Sequence, residues 1–127
     1  MIRSLESLTL FSGNARNLAE FYKEKVGLEI ITEAEIGDEG EELFELDTKE
    51  GSGLYIVDHS EVKGKNQEPS RIIFNLEVSD IEEDVKRLEE AGVKKIQDIY
   101  HIENYGYIAT FEDLDGNYFQ LVQVRSS

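Results

Sequence analysis

The stretch FEDLDGNYFQLVQ, from Phe111 to Gln123, joins an acidic turn containing one glycine to a short strand of alternating residues. Successive side chains of a strand point to opposite faces of a sheet, so Phe119 and Leu121 share an apolar face. Gln120 lies on the opposite face. Whether that second face can hold a metal ion decides which chemistry the chain supports.

The order of elements around this stretch occurs twice along the 127 residues. The first half predicts a strand in SLESLTLFSGN, a helix capped by Asn14 and closed by Gly27, and the strands LEIITEAE, EELFELD and GLYIV. The second half predicts a strand in RIIFNLEVSD, a helix capped by Asp80 and closed by Gly92, and strands over Val93–Gln97, Gly106–Phe111 and Tyr118–Val124. This repeated β-α-β-β-β unit indicates an internal duplication within a single domain, residues 1–127, with modules over about residues 1–60 and 70–127.

The composition excludes several classes of partner and reaction. The formal net charge is -15, from 28 acidic and 13 basic residues. A field of this sign repels phosphate groups, so we expect no nucleic-acid binding and no attachment to an anionic membrane surface. The chain has no cysteine, which excludes disulfides, thiolate nucleophiles and iron–sulfur clusters. It also lacks an apolar run of the length that a signal peptide or a membrane span needs, so we expect a cytoplasmic protein.

Three segments, NARNLAEFYKEKVGLEI, VSDIEEDVKRLEEAGV and FEDLDGNYFQLVQ, occur in the order and spacing of a known set of motifs. The first resembles the D-x-x-x-x-x-x-F-Y-x-x-x-L-G-L signature of the vicinal oxygen chelate superfamily, which contains glyoxalase I, extradiol dioxygenases and bleomycin-resistance proteins. The second resembles the matching helix of the second module, and the third resembles the closing signature F-x-D-P-D-G-N-x-x-E-L. The resemblance implies an α+β fold whose two modules form an open, curled mixed sheet, a cup, with the helices outside. It also implies a homodimer.

In such a cup, each strand has one face toward its helix and one toward the interior of the cup. The helix-facing residues would form the core: Leu8, Leu10, Leu54, Ile56, Ile72, Phe74, Leu76, Phe119 and Leu121. The cup-facing set mixes hydrogen-bonding and apolar side chains, as small-molecule pockets do: Ser7, Thr9, Tyr55, Val57, Ile73, Asn75, Tyr118, Gln120 and Val122. We expect His101 and Tyr107 to contact a ligand at the mouth of the second module, and His59 to lie in an exposed loop.

Metal-dependent members of the superfamily bind their ion through four cup-facing residues, on the first and last strands of each module. The corresponding positions here are Ser7, Tyr55, Ile73 and Gln120, which include no histidine and no carboxylate. Isoleucine has no donor atom, and neutral hydroxyl and amide groups retain a divalent ion poorly. The sequence therefore predicts neither a metal ion nor another cofactor, and it identifies no catalytic residue.

Two functions stay open at this point. The first is a metal-free protein that sequesters a small, cationic or aromatic molecule in the cup. The alternative is a metal-dependent enzyme, glyoxalase-like or dioxygenase-like, with atypical ligands. A module that regulates or scaffolds and binds no small molecule is a third reading, which a cup filled with apolar side chains would support.

Overall fold

The computed structural model describes residues 1–124, which form two compact units, Met1–Gly64 and Lys65–Ser127, the second described as far as Val124. The elements of the first unit are β1 (Ser7–Ser12), α1 (Ala15–Phe21), a π-helical turn (Tyr22–Val26), β2 (Ile30–Ile36), β3 (Glu41–Leu46) and β4 (Gly53–Asp58). Those of the second are a 3-10 turn (Pro69–Arg71), β5 (Ile73–Glu77), α2 (Ile81–Glu90), β6 (Lys94–Ile102), β7 (Gly106–Glu112) and β8 (Tyr118–Val124). The predicted α+β fold with two β-α-β-β-β modules is confirmed.

Each unit contains one four-stranded mixed sheet. The strand order is β1-β4-β3-β2 in the first unit and β5-β8-β7-β6 in the second. The first and last strands of each unit run parallel, and the other neighbours run antiparallel. The register also repeats, because Thr9 pairs with Tyr55 in the first unit and Asn75 pairs with Gln120 in the second.

Each helix is capped at its N-terminus by two side chains. Asn14 accepts the backbone N–H of Asn17, and Asp80 accepts that of Glu83. A second acceptor comes from the last strand of each unit: Asp58 Oδ1 lies 2.7 Å from the nitrogen of Ala15, and Gln123 Oε1 lies 2.9 Å from that of Ile81. These contacts fix each helix to the end of its own sheet. No helix within residues 1–124 has the length and apolar character needed to cross a membrane.

The first helical segment is one residue longer than the second, counted from its N-cap to its closing glycine. Gly27 follows the cap Asn14 by 13 positions, whereas Gly92 follows Asp80 by 12. The π-helical turn takes up the extra residue, because the N–H groups of Gly27 and Leu28 both bond to the carbonyl of Tyr22, at 2.8 and 3.0 Å. Both glycines then have positive φ, 99° and 82°, which ends each helix with a left-handed residue.

The helices cover one face of each sheet. Helix α1 packs on β1, β3 and β4, and α2 packs on β6, β7 and β8. The side chains between helix and sheet are buried, and they include four of the predicted core residues: Leu54, Ile56, Phe119 and Leu121. Apolar burial at these two layers is the main stabilising contribution within each unit. The opposite face of each sheet is the one that the alternation predicted for ligand contact.

Two predictions about the second unit are wrong. Ile72, expected in the core, is 67% exposed, because the chain forms a 3-10 turn up to Arg71 and β5 begins only at Ile73. The strand predicted to end at Gln97 continues to Ile102, and its pairing with β7 is interrupted on both sides of Gln97. Such irregularities add residues to one strand and re-aim the side chains that follow.

Candidate ligand-binding sheet faces

The face of the first sheet opposite α1 carries a line of four polar residues, one from each strand. Directly paired residues of neighbouring strands have their side chains on the same face. The line, called here the first polar row, consists of Thr9, Tyr55, Glu45 and Thr32. Its centre is the carboxylate of Glu45, whose Oε1 accepts the Thr32 hydroxyl at 2.9 Å.

Tyr55 lies beside this carboxylate. The negative charge of Glu45, with partial burial and the charge of Glu6 as further causes, raises the pKa of the Tyr55 phenol. Its ring extends over Gly53, where an added Cβ would stand 3.1 Å from Tyr55 Cε2 and 3.4 Å from Ser7 Cβ. Gly53 therefore provides the space that the ring occupies next to Ser7.

The second sheet has an equivalent line, the second polar row: Asn75, Gln120, Thr110 and Gln97. Gln120 Nε2 donates to Thr110 Oγ1 at 3.0 Å, and Thr110 is only 5% exposed. This bond holds the Gln120 amide in one orientation. The second polar row contains three amides and one hydroxyl, and at the positions of the Tyr55 phenol and the Glu45 carboxylate it has the amide of Gln120 and the hydroxyl of Thr110.

An apolar line lies next to each polar row, two residues further along the strands. In the first sheet it consists of Phe11, Val57, Leu43 and Ala34, called here the first apolar row. In the second it consists of Val122, Ile108 and Tyr100, with Glu77 at its edge. Val57 and Val122 are 7% and 3% exposed, so the apolar lines are partly covered. Each face thus offers hydrogen-bonding groups beside apolar surface, which is the composition of small-molecule sites.

The predicted residues of the second unit fall into two groups. Ile73 and Asn75 pair with Tyr118 and Gln120, so these four lie together on the face opposite α2. Tyr105, from the β6–β7 connection, approaches the same face, because its hydroxyl lies 3.5 Å from Asn75 Nδ2. This separation is at the upper limit of a hydrogen bond.

His101 and Tyr107 lie on the other face. They pair with each other, their rings are 5.0 Å apart, and Tyr107 pairs with Gln123, which caps α2. They therefore stand apart from Gln120, and their contact with a ligand at the mouth of this unit stays a prediction. The face of His101 cannot be read from the sequence, since simple alternation cannot be followed through the irregular pairing of β6. A shallow cleft beside α2 includes Tyr107, Ile99, Gln123 and the residues Ser79–Glu82.

The four positions that match the metal ligands of the superfamily do not fit a divalent ion. The first unit presents the hydroxyl of Ser7 beside Tyr55, whose phenol stays protonated near neutral pH. The second presents Ile73 and the amide of Gln120, which is already bonded to Thr110. Within residues 1–124, no three histidine or acidic side chains come together in a way that would hold an ion.

Sequence reasoning did not find four members of the polar rows: Thr32, Glu45, Gln97 and Thr110. All four fit the duplication, since Thr32 and Glu45 precede Gln97 and Thr110 by 65 residues, the same offset that separates Tyr55 from Gln120. Extending the repeat from the first and last strands of each unit to the two strands between them in the sequence would have identified these positions.

Two sheets of this topology, with their helices on one face and mixed polar and apolar rows on the other, define a class of protein built on paired β-α-β-β-β modules. The sequence model of the Glyoxalase/Bleomycin resistance protein/Dioxygenase superfamily matches residues 4–121. The chain belongs to this superfamily, and the family recognised from the motifs is confirmed.

Three similar proteins illustrate its breadth. The uncharacterized protein YetH of Bacillus subtilis (strain 168) is 26% identical over 121 residues, which cover 95% of this chain and 98% of YetH. The trypanothione-dependent glyoxalase I of Leishmania major has a TM-score of 0.76 at 18% identity, over 96% of this chain and 87% of that one. TnmS3, an antibiotic-binding protein from Streptomyces sp. CB03234, has a TM-score of 0.73 at 22% identity, over 98% of both chains. The two solved structures share the fold.

Proposed function

We propose that this protein binds a small organic molecule, without a metal ion, on the sheet faces that carry the polar rows. The observation that carries the proposal is the set of side chains at the positions where metal-dependent relatives are expected to hold their ion: a hydroxyl, a phenol, an amide and one alkyl group without a donor atom. Such groups recognise neutral and hydrogen-bonding ligands well and divalent ions poorly. The antibiotic-binding description of TnmS3 supports the use of this fold for holding a small molecule.

The histidines support the same reading. His59 packs edge-on against Phe11, with ring centroids 5.3 Å apart, and its Nδ1 accepts the N–H of Glu61. His101 contacts Tyr107 on the face away from the polar rows. A general base must be within hydrogen-bonding reach of the group that it deprotonates. Neither ring has this relation to Tyr55 or Gln120 in the described residues.

A metal titration tests the proposal. Metal-stripped protein is titrated with Ni²⁺, Zn²⁺, Mn²⁺ and Fe²⁺ by calorimetry, and we expect no tight one-to-one binding. The variant Gln120→Glu is the matched control, since it places one carboxylate at the last-strand position while Ser7, Tyr55 and Ile73 stay unsuitable. Tight binding by the unmodified chain would overturn the proposal, and tight binding by Gln120→Glu would show that the ligand positions are wrongly assigned.

Native mass spectrometry of the purified protein tests the same proposal by searching for the ligand, because a co-purifying small molecule would appear as a discrete mass difference.

The family match runs through both units, which supports treating them as one domain. The homodimer and the cytoplasmic location stay predictions, which sedimentation equilibrium and cell fractionation would measure.

A further inference from the structure

We propose that the first sheet face binds an organic cation, with its protonated nitrogen at Glu45 in the first polar row and its apolar body on the first apolar row. The inference rests on the proposed function and names the chemical class of the ligand. It assigns a role to Glu45, a residue at the centre of the face and outside the four positions that correspond to metal ligands in relatives.

The carboxylate of Glu45 is held in place but keeps capacity for a ligand. The Thr32 hydroxyl donates to its Oε1, and the Tyr55 phenol approaches it from the opposite neighbouring strand. An ionised carboxylate has about four acceptor positions, so the Thr32 hydroxyl leaves room for an ammonium group, even if the Tyr55 phenol also donates. A group already ordered by its neighbours loses little freedom on binding.

The charge of Glu45 is not neutralised by a basic side chain among the described ion pairs. Arg16 bonds instead to Glu33 and Glu42. Each of these glutamates is next in sequence to a residue of the polar or apolar row, so its side chain lies on the opposite, α1 side of the sheet. A partly buried carboxylate without a counter-ion attracts a cationic partner. The ring of Tyr55 adds an aromatic surface that favours a cation.

The first apolar row sets the shape of the rest of the ligand. Val57 and Leu43 lie two residues from Tyr55 and Glu45 along their strands, which corresponds to about 7 Å. Phe11 adds a ring that is 49% exposed. A ligand with an aromatic or aliphatic group about 7 Å from an ammonium nitrogen would contact both rows. The second polar row has Gln120 and Thr110 at the positions of Tyr55 and Glu45, so it carries no charge there and does not share this preference.

The experiment compares 3-phenylpropylamine with its neutral analogue 3-phenylpropan-1-ol, using two-dimensional NMR titrations of the ¹⁵N-labelled, metal-stripped protein. We expect the amine to shift signals of the first sheet face and to bind about tenfold more tightly than the alcohol, since a hydrogen bond to a charged group contributes that much. The variant Glu45→Gln should lose this preference. Glu35→Gln, which removes the same charge from an exposed position on the α1 side of β2, should retain it.

Sodium chloride provides a second measurement on the unmodified chain. Added salt should weaken binding of the amine and leave the alcohol unchanged, because only the first depends on charge. Equal affinities for amine and alcohol, no amine binding, or an amine preference that survives in Glu45→Gln would each overturn the inference. Tight metal binding would overturn the proposed function instead, and a neutral co-purifying ligand would leave that function standing while opposing this inference.

Discussion

Gly106 shows how a single residue can determine whether two strands pair. Its φ is +147°, and a Cβ at this position would stand 2.1 Å from the carbonyl oxygen of Gln123 on the neighbouring strand. No side chain can relieve this clash, since the obstacle is backbone. The β7–β8 pairing, and with it the orientation of Gln120 and Thr110, depends on the absence of a side chain here.

We therefore expect Gly106→Ala to lower the free energy of unfolding by about 3 kcal/mol, as other forced overpackings and strained backbones do. Gly92→Ala is the matched control in the same unit, because Gly92 also has positive φ but no atom within 4 Å of an added Cβ. It should cost about 1 kcal/mol, the left-handed strain alone. Urea unfolding measures both, and equal losses would show that β7 and β8 separate easily.

Residue-scale prediction from sequence succeeded where alternation is regular and failed where it is not. The faces of Asn75, Tyr118 and Gln120 followed correctly from period two within β5 and β8. Glu45 was missed because its importance comes from its neighbours Tyr55 and Thr32 on the adjacent strands. The register that brings these residues together cannot be read from the sequence of a single strand. The face of His101 could not be predicted, because β6 is irregular before it.

At the scale of the elements, the last strand of each unit fixes the start of its helix. Asp58 accepts two backbone N–H groups, from Ala15 at 2.7 Å and from Glu42 at 2.9 Å, and so ties α1 to both β3 and β4. Gln123 accepts one, from Ile81. The same device in both units explains why the helices lie at matching positions on their sheets.

This difference in acceptors makes a prediction. Asp58→Ala leaves two N–H groups without their acceptor and should cost about 2 kcal/mol, whereas Gln123→Ala leaves one and should cost about 1 kcal/mol. Asp58→Asn keeps one carbonyl oxygen and should fall between them. The free energy of unfolding in urea measures all three. Equal losses for the two alanine variants would mean that the bond to Glu42 contributes nothing.

Element boundaries could be predicted from the sequence wherever a cap or a glycine marks them. Asn14, Asp80, Gly27 and Gly92 gave the limits of both helices correctly. The start of β5 could not be predicted, because no cap or glycine separates Ile72 from Ile73. The length of β6 could not be predicted either, because no such signal shows whether the strand stops at Gln97 or continues. Pairing with β7 extends β6 through Tyr100 and His101, and that pairing depends on residues distant in sequence.

For the molecule as a whole, the duplication was the most reliable prediction, since it rests on caps, glycines and strands together. The two halves have kept the fold while the side chains of the polar rows have changed: Thr9, Tyr55 and Glu45 stand where Asn75, Gln120 and Thr110 stand in the other half. One half thereby carries a carboxylate in its polar row, and the other carries only neutral hydrogen-bonding groups.

The one-residue difference between the helices allows a test across both halves. Deleting Glu24, an exposed residue of the π-helical turn, should restore regular helix and change the free energy of unfolding by about 1 kcal/mol or less. Deleting Lys86, exposed in the middle of α2, should cost far more, because it rotates Val85 relative to Leu88 by about 100°. Comparable losses would show that the π-helical turn is needed for folding.

The same turn also bears on the history of the chain. If the two halves arose by copying one ancestral segment, they differ in length at this helix by a single codon, gained in one copy or lost from the other. The left-handed glycine ends the helix in both copies, and the pairs Thr32–Glu45 and Gln97–Thr110 beyond it still correspond, so the indel was absorbed inside the helix. Reconstructed ancestors of the two modules, aligned on their glycines, would reveal which copy changed.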